Sequence, residues 1–195
     1  MAKKVQSHVD PFYYHYPAGA TIVTSHAGGC DNAMAVAWHS AVSREPPLYV
    51  ISISPERFTH GMLLESGEFT VNFMPADQAE LVALVGGSSG SDVDKFDAFS
   101  IDAEPGSQVA APILATAFAG YECRVVGRHT YGDHDLFIGA IMAVQWEESA
   151  YTDGRWLDVE RLSPIVYLGK DLYGGATPPA LIDGDELVRE TLGGG

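Results

Sequence analysis

Short apolar runs rich in β-branched and aromatic residues recur along the N-terminal part of the chain, at 21–25 (TIVTS), 34–38 (MAVAW), 48–53 (LYVISI) and 69–73 (FTVNF). Each is too short for a buried helix and is bounded by turn formers, so each predicts a strand. Two longer runs, 121–129 and 136–146, predict a pair of long strands. Tyr131, Gly132, Asp133, His134 and Asp135 join them and read as a turn by composition. A last strand is expected at 165–168. Gly28 and Gly29, inside 26–31, suit a hairpin turn. Pro46 and Pro47 suit the loop before the third strand.

Between the strands the pattern turns helical twice. Residues 59–66 form a short candidate helix, with Thr59 as N-cap and Gly67 as its stop. Residues 77–85 form a better one: Pro75 precedes it, Asp77 is placed to cap it, and Glu80 follows at capping-box spacing. Leu81, Leu84 and Val85 would be its apolar stripe, and Gly86-Gly87 its end. Residues 88–91 read as a polar loop, 92–96 as a helical turn and 101–111 as a loop. About six strands and two or three short helices, with no βαβ rhythm, predict a mainly β, antiparallel barrel with helices packed outside. Residues 5–18 are irregular and aromatic (Phe12, Tyr13, Tyr14, Tyr16) and suit an arm. The chain divides into a domain at 1–173 and an acidic, Gly/Pro-rich tail at 174–195, where 185–192 is weakly helical.

Composition narrows the partners. The 195 residues are 46% hydrophobic and 19% charged, enough for a sizeable core. Net charge is 11 − 26 = −15. That argues against nucleic acid or an anionic membrane surface, both of which select basic patches. No apolar run approaches the ~20 residues of a spanning helix. The basic start at residues 1–4 leads into polar residues rather than an apolar core, unlike a signal peptide. A cytoplasmic location follows as an expectation. Cys30 and Cys123 have neither metal-ligand spacing nor a disulfide framework, so reduced thiols and no metal site are expected.

The chemistry concentrates where strands end. Asp31, Asn32 and Ala33 precede one strand, and Ser52 to Thr59 follow another, offering hydroxyls, backbone N–H groups and one guanidinium. An anionic ligand with a flat apolar part suits such a surface. Neither GxGxxG nor GxxxxGK[ST] is present.

Several segments together resemble the flavin reductase-like family of FMN-binding split barrels. They are TIVTS at 21–25, NAMAVAW at 32–38, the VSxxPPL pattern at 42–48, SISPERFTH at 52–60, ESGEFTVN at 65–72, SGSDVDKF at 89–96 and YGDHDLFIGAI at 131–141. The resemblance implies a Greek-key split β-barrel, a homodimer, FMN as cofactor, and NADH or NADPH as hydride donor. Electrons would pass to free flavin, a partner oxygenase or another acceptor. A flavin phosphate needs cationic or N–H donors, so Arg57, Thr59 and Lys95 are the phosphate candidates. Arg57 has Glu56 and Glu65 as competing surface partners, and Lys95 has Asp92, Asp94 and Asp97. Asn32, Ala33, Ala35, Ala37 and Trp38 would line the flavin ring, some facing the core instead; Trp38 could stack on the ring or pack, and an isolated tryptophan favours packing. Ser52 and Ser54 could donate to ribityl or phosphate oxygens. Relatives often carry a hydroxyl at the end of the second strand where this chain has Ala37-Trp38, and Ser40 is the nearest substitute. The GDH turn places His134, flanked by two carboxylates that would attract its positive charge, as the catalytic candidate at the nicotinamide. The competing reading is a holder of FMN, haem or another flat cofactor that carries electrons without NAD(P)H turnover.

Overall fold

The computed structural model describes Lys3, Val5, Ser7 and residues 17–153 and 156–176. The aromatics of the expected arm and the tail beyond 176 lie outside the described residues. Seven antiparallel strands form the main sheet: β1 (Thr21–Ala27), β2 (Cys30–Val36), β3 (His39–Arg44), β4 (Pro47–Ile53), β5 (Glu68–Phe73), β6 (Ala119–Tyr131) and β7 (His134–Trp146). Their spatial order is β2-β1-β5-β6-β7-β4-β3. β2 and β3 are the two edges, yet only Ala37 and Trp38 separate them in sequence. Two residues reach only about 10 Å, so the sheet must curl until its edges nearly meet. The result is a barrel split between β2 and β3. Ser52 N donates to Trp38 O at 2.9 Å beside the split.

Alternation fills the barrel. Along β4, Tyr49, Ile51 and Ile53 are buried while Leu48, Val50 and Ser52 are less so. They meet Val23, Val36, Phe69, Val71, Cys123 and Phe137 in one core. Each fully buried side chain of this size contributes about 1.5–3 kcal/mol. At Gly139 a Cβ would lie 2.6 Å from Phe69 Cζ, so only glycine lets β7 pass that ring. The β6–β7 register shifts between Ile138 and Gly139 and again between Ile141 and Ala143.

Helix α1 (Phe58–Ser66) packs with Thr59, His60, Met62 and Leu63 buried, and Met62 and Leu63 serve the core. Its N-cap is Arg57 without a side-chain cap bond, not Thr59. Thr59 sits inside the first turn because its hydroxyl accepts from Asn32 Nδ2 at 2.8 Å. Helix α2 (Ala79–Gly86) is entered through a 3-10 turn, Ala76–Gln78, which puts Gln78 rather than Asp77 at its N-cap. Its buried face is Val82 and Val85, and Leu84 points to solvent. That face packs with Ala33 and Ile22 in a second core outside the barrel. Helix α3 (Lys95–Ala98) is capped by Asp94, whose carboxylate accepts from Phe96 N and Asp97 N.

Two strands beyond the barrel, β8 (Ile165–Gly169) and β9 (Leu172–Gly175), form a hairpin, and β8 also pairs with Ala18–Gly19. β9 runs across the expected domain boundary at 173. Residues 105–111 are drawn onto the sheet by Glu122, fully buried on β6. Its carboxylate accepts from Ser107 Oγ, Gln108 N, Val109 N and Gln145 Nε2. Burial alone would raise its pKa, but these donors outweigh it and hold it at about 2.

Candidate functional site

A polar cleft opens between β2, the N-terminus of α1 and the loop after α2. Its walls include Asn32, Ala35, Arg57, Thr59, Ser89 and Lys95. Residues far apart in sequence meet here because α1 and α2 both rest against β2. Arg57 is exposed at the N-terminus of α1 and, among the described residues, forms no ion pair with Glu56 or Glu65. A guanidinium and the uncapped N–H groups of a helix start thus share one opening.

Lys95 is not a solvated partner of the neighbouring aspartates. It is 4% exposed, and its Nζ donates to Ala33 O and Val85 O, both at 2.8 Å. Those bonds tie α3 to β2 and to the end of α2. An ammonium has three donors, so one remains for the cleft. Burial first, and the nearby Arg57 second, lower the Lys95 pKa to about 8.

The loop after α2 supplies the wall that sequence reasoning missed. Ser88, Ser89 and Gly90 line the cleft. A Cβ on Gly90 would lie 2.3 Å from Asn32 Oδ1 and 2.5 Å from Phe58 Cδ1, so this loop lies directly on the site. The polar run beginning at Ser88 and the SGSDVDKF segment at 89–96 were its signals in the sequence.

A second cavity adjoins the first at Ala35 and Gly86. Small residues, Ala20, Ala37 and Ala83 among them, line much of it. Tyr167 and Tyr173 are also in its lining, with ring centroids 5.3 Å apart. They stand on β8 and β9, whose hairpin turns at Lys170 and Asp171, both at positive φ rather than at an Asn-Gly signal. That is why this aromatic wall could not be read from the sequence.

The remaining candidates separate. Ala33 is fully buried, and what it offers is the carbonyl held by Lys95. Ser54 shapes the turn into α1: its Oγ accepts from Glu56 N at 3.4 Å and its carbonyl from Arg57 N at 3.0 Å. Ser52 lies half-buried in β4, and Ser40 is exposed on edge strand β3, donating to Ala41 O at 3.0 Å. Neither Ser40, Ser52 nor Ser54 lines either cavity.

Trp38 does not pack into the core. It is 40% exposed, and its ring lies 4.8 Å from that of His134. His134 opens β7 and shares a 2.8 Å contact from Nδ1 to Asp133 Oδ1. This contact holds the Asp133 carboxyl below its ordinary range. Asp135, the other flanking carboxylate, turns inward to His60 Nε2 at 2.8 Å and Thr130 Oγ1 at 2.6 Å. Among the described residues no cluster of three His, Cys, Asp or Glu is placed to hold a metal, and Cys30 and Cys123 are both free. No described helix is long and apolar enough to cross a membrane.

Relatives share this architecture. An FMN-binding protein from Thermus thermophilus, solved with bound 1-cyclohex-2-enone, is 34% identical and superposes with a TM-score of 0.83 over 93% of this chain and 99% of that one. A flavoredoxin from Methanosarcina acetivorans is 25% identical, with a TM-score of 0.85 over 98% of this chain and 100% of that one. An NADH-dependent FAD reductase from Streptomyces globisporus is 30% identical over 72% of this chain and 79% of its own. Residues 13–175 match the flavin reductase like domain, which takes in the barrel, both cavities and the His134 turn. The chain belongs to the flavin reductase-like family.

Proposed function

We propose that the protein is an FMN-dependent oxidoreductase that takes hydride from NADH or NADPH. The observation that carries this reading is the cleft itself. A forked guanidinium, a buried ammonium and the open end of a nine-residue helix converge on one opening, which suits the phosphate of FMN. The donor set fits that group, and the adjoining small-residue cavity fits a flat apolar body. Arg57, Lys95 and the N–H groups of α1 would bind the phosphate. Thr59 holds Asn32 in place, and Ser89 offers a further hydroxyl. Bound flavin would supply the two-electron chemistry, accepting hydride and passing electrons to an acceptor. His134 would orient the nicotinamide, with Asp133 fixing the imidazole through Nδ1.

One similarity favours a carrier that holds flavin without nicotinamide turnover: the flavoredoxin from Methanosarcina acetivorans superposes over 98% of this chain. The test begins with titration of purified protein by FMN, followed by anaerobic NADH or NADPH. Flavin fluorescence should quench with micromolar or tighter affinity, about −8 kcal/mol, and either nucleotide should then bleach the visible band. No quenching removes the reading. Quenching without bleaching leaves the carrier.

A further inference from the structure

The barrel holds one polar pair that the proposed binding residues do not use. His60 on α1 and Asp135 on β7 are 7% and 4% exposed, and their 2.8 Å bond crosses from helix to sheet inside the protein. The carboxylate also accepts from Thr130 Oγ1 at 2.6 Å, and Arg128 Nη1 stands 3.7 Å away. The His60 ring meets Phe137 edge-on at 5.2 Å. Both partners are therefore locked by packing as well as by hydrogen bonds. A buried carboxylate held on several sides is expensive to disturb.

The place of the pair in the chain matters. His60 follows Thr59, which is bolted to Asn32 on β2 at the phosphate cleft. Asp135 follows His134, whose ring lies on Trp38. Strand alternation points the two neighbours to opposite sides of β7, with Asp135 inward and His134 outward. Through Thr59 and His60, one helical turn of α1 is thus fixed both to β2 and to the start of β7.

We propose that the His60–Asp135 pair is a positioning device that sets His134 against Trp38 in register with the phosphate cleft. It rests on the reading of His134 as the nicotinamide-orienting residue. Functional side chains keep productive geometry only when the residues behind them are themselves locked, and a misplacement of about 1 Å can cost on the order of 100-fold in rate. Removing the pair frees the first residues of β7 to shift while the Arg57–Lys95 cleft keeps its own donors.

NMR of the full chain tests this through the His134 Cε1–H resonance, whose displacement by the Trp38 ring is calibrated with Trp38→Ala. His60→Ala and Asp135→Ala are expected to lose most of that displacement. They should slow anaerobic flavin reduction by about 10–100-fold while changing FMN affinity far less. His60→Gln, whose amide reaches the same carboxylate, should restore both readouts. Variants that only melt earlier, with resonance and rate unmoved, would overturn the proposal. If His60→Ala does not fold, Thr130→Val removes a single bond to Asp135 and should move the resonance part of the way. An unmoved resonance there would also overturn it. A wild-type protein that neither nucleotide reduces would sink the reductase reading, while the resonance would still decide the role of the pair.

Discussion

Arg57 and Lys95 share one cleft but differ in what each can lose. Arg57 is exposed, so its removal leaves no buried group unpaired. Arg57→Ala should cost about 1.5–3 kcal/mol of FMN affinity, the worth of a charged hydrogen bond, and spare riboflavin, which lacks the phosphate. Calorimetric titration with both ligands checks this. Equal losses would make Arg57 structural. Lys95 adds a pH dependence. Its folded pKa is about 8, below the ordinary 10.5, so the protonated form opposes folding at neutral pH. That cost fades as pH rises from about 8 toward 10.5. Phosphate binding through Lys95 would have the opposite sign because it would use the ammonium. FMN affinity should therefore fall as pH rises through about 8, riboflavin affinity should not, and Lys95→Met should abolish the difference.

At the level of elements, the loops hold the tightest constraints. Glu122 holds the 105–111 segment through three donors and Gln145 of β7 through a fourth, and Glu122→Ala would strand all four inside the protein. A loss of about 3 kcal/mol or more is expected in urea unfolding at neutral pH. Because the folded pKa is depressed, the stabilisation is complete above the ordinary glutamate value of 4.5. It disappears as pH falls through about 2, so the mutant penalty should shrink in acid. Gly90→Ala should push the loop off Asn32 and Phe58 and weaken FMN binding without lowering thermal stability comparably.

The same elements show what the sequence can and cannot say. β4 and the long β6–β7 pair were legible from alternation and turn composition. β3, with the polar sequence HSAVSR, was not, because an exposed edge strand needs no apolar face. β2 begins earlier than expected, since Asp31 and Asn32 belong to the ladder opposite His26 and Ser25. Arg57, Thr59 and Lys95, picked out by residue type, line one cleft. The burial of Lys95, the Gly90 wall and the Tyr167–Tyr173 pair depend on packing between distant segments, which local pattern does not encode.

For the whole molecule, the seven-stranded sheet curls almost shut and leaves β2 and β3, among the described residues, as its edge strands flanking the split. A second copy lying across such an edge would cover it, as sheets commonly require. A symmetric homodimer is expected, read by light scattering as twice the 20.9 kDa chain mass at micromolar concentration. A monomer mass would contradict it.

The central claim joins the phosphate cleft to the His134 turn in one reductase, and anaerobic stopped-flow reduction of the FMN-loaded protein tests it most directly. NADH or NADPH should bleach the wild-type flavin band within the dead time or the following seconds. His134→Ala should bind FMN almost as well and be reduced at least about 10-fold more slowly, because a misplaced hydride donor loses near-attack geometry. Equal rates for the two proteins, or no reduction of either by either nucleotide, would contradict the account.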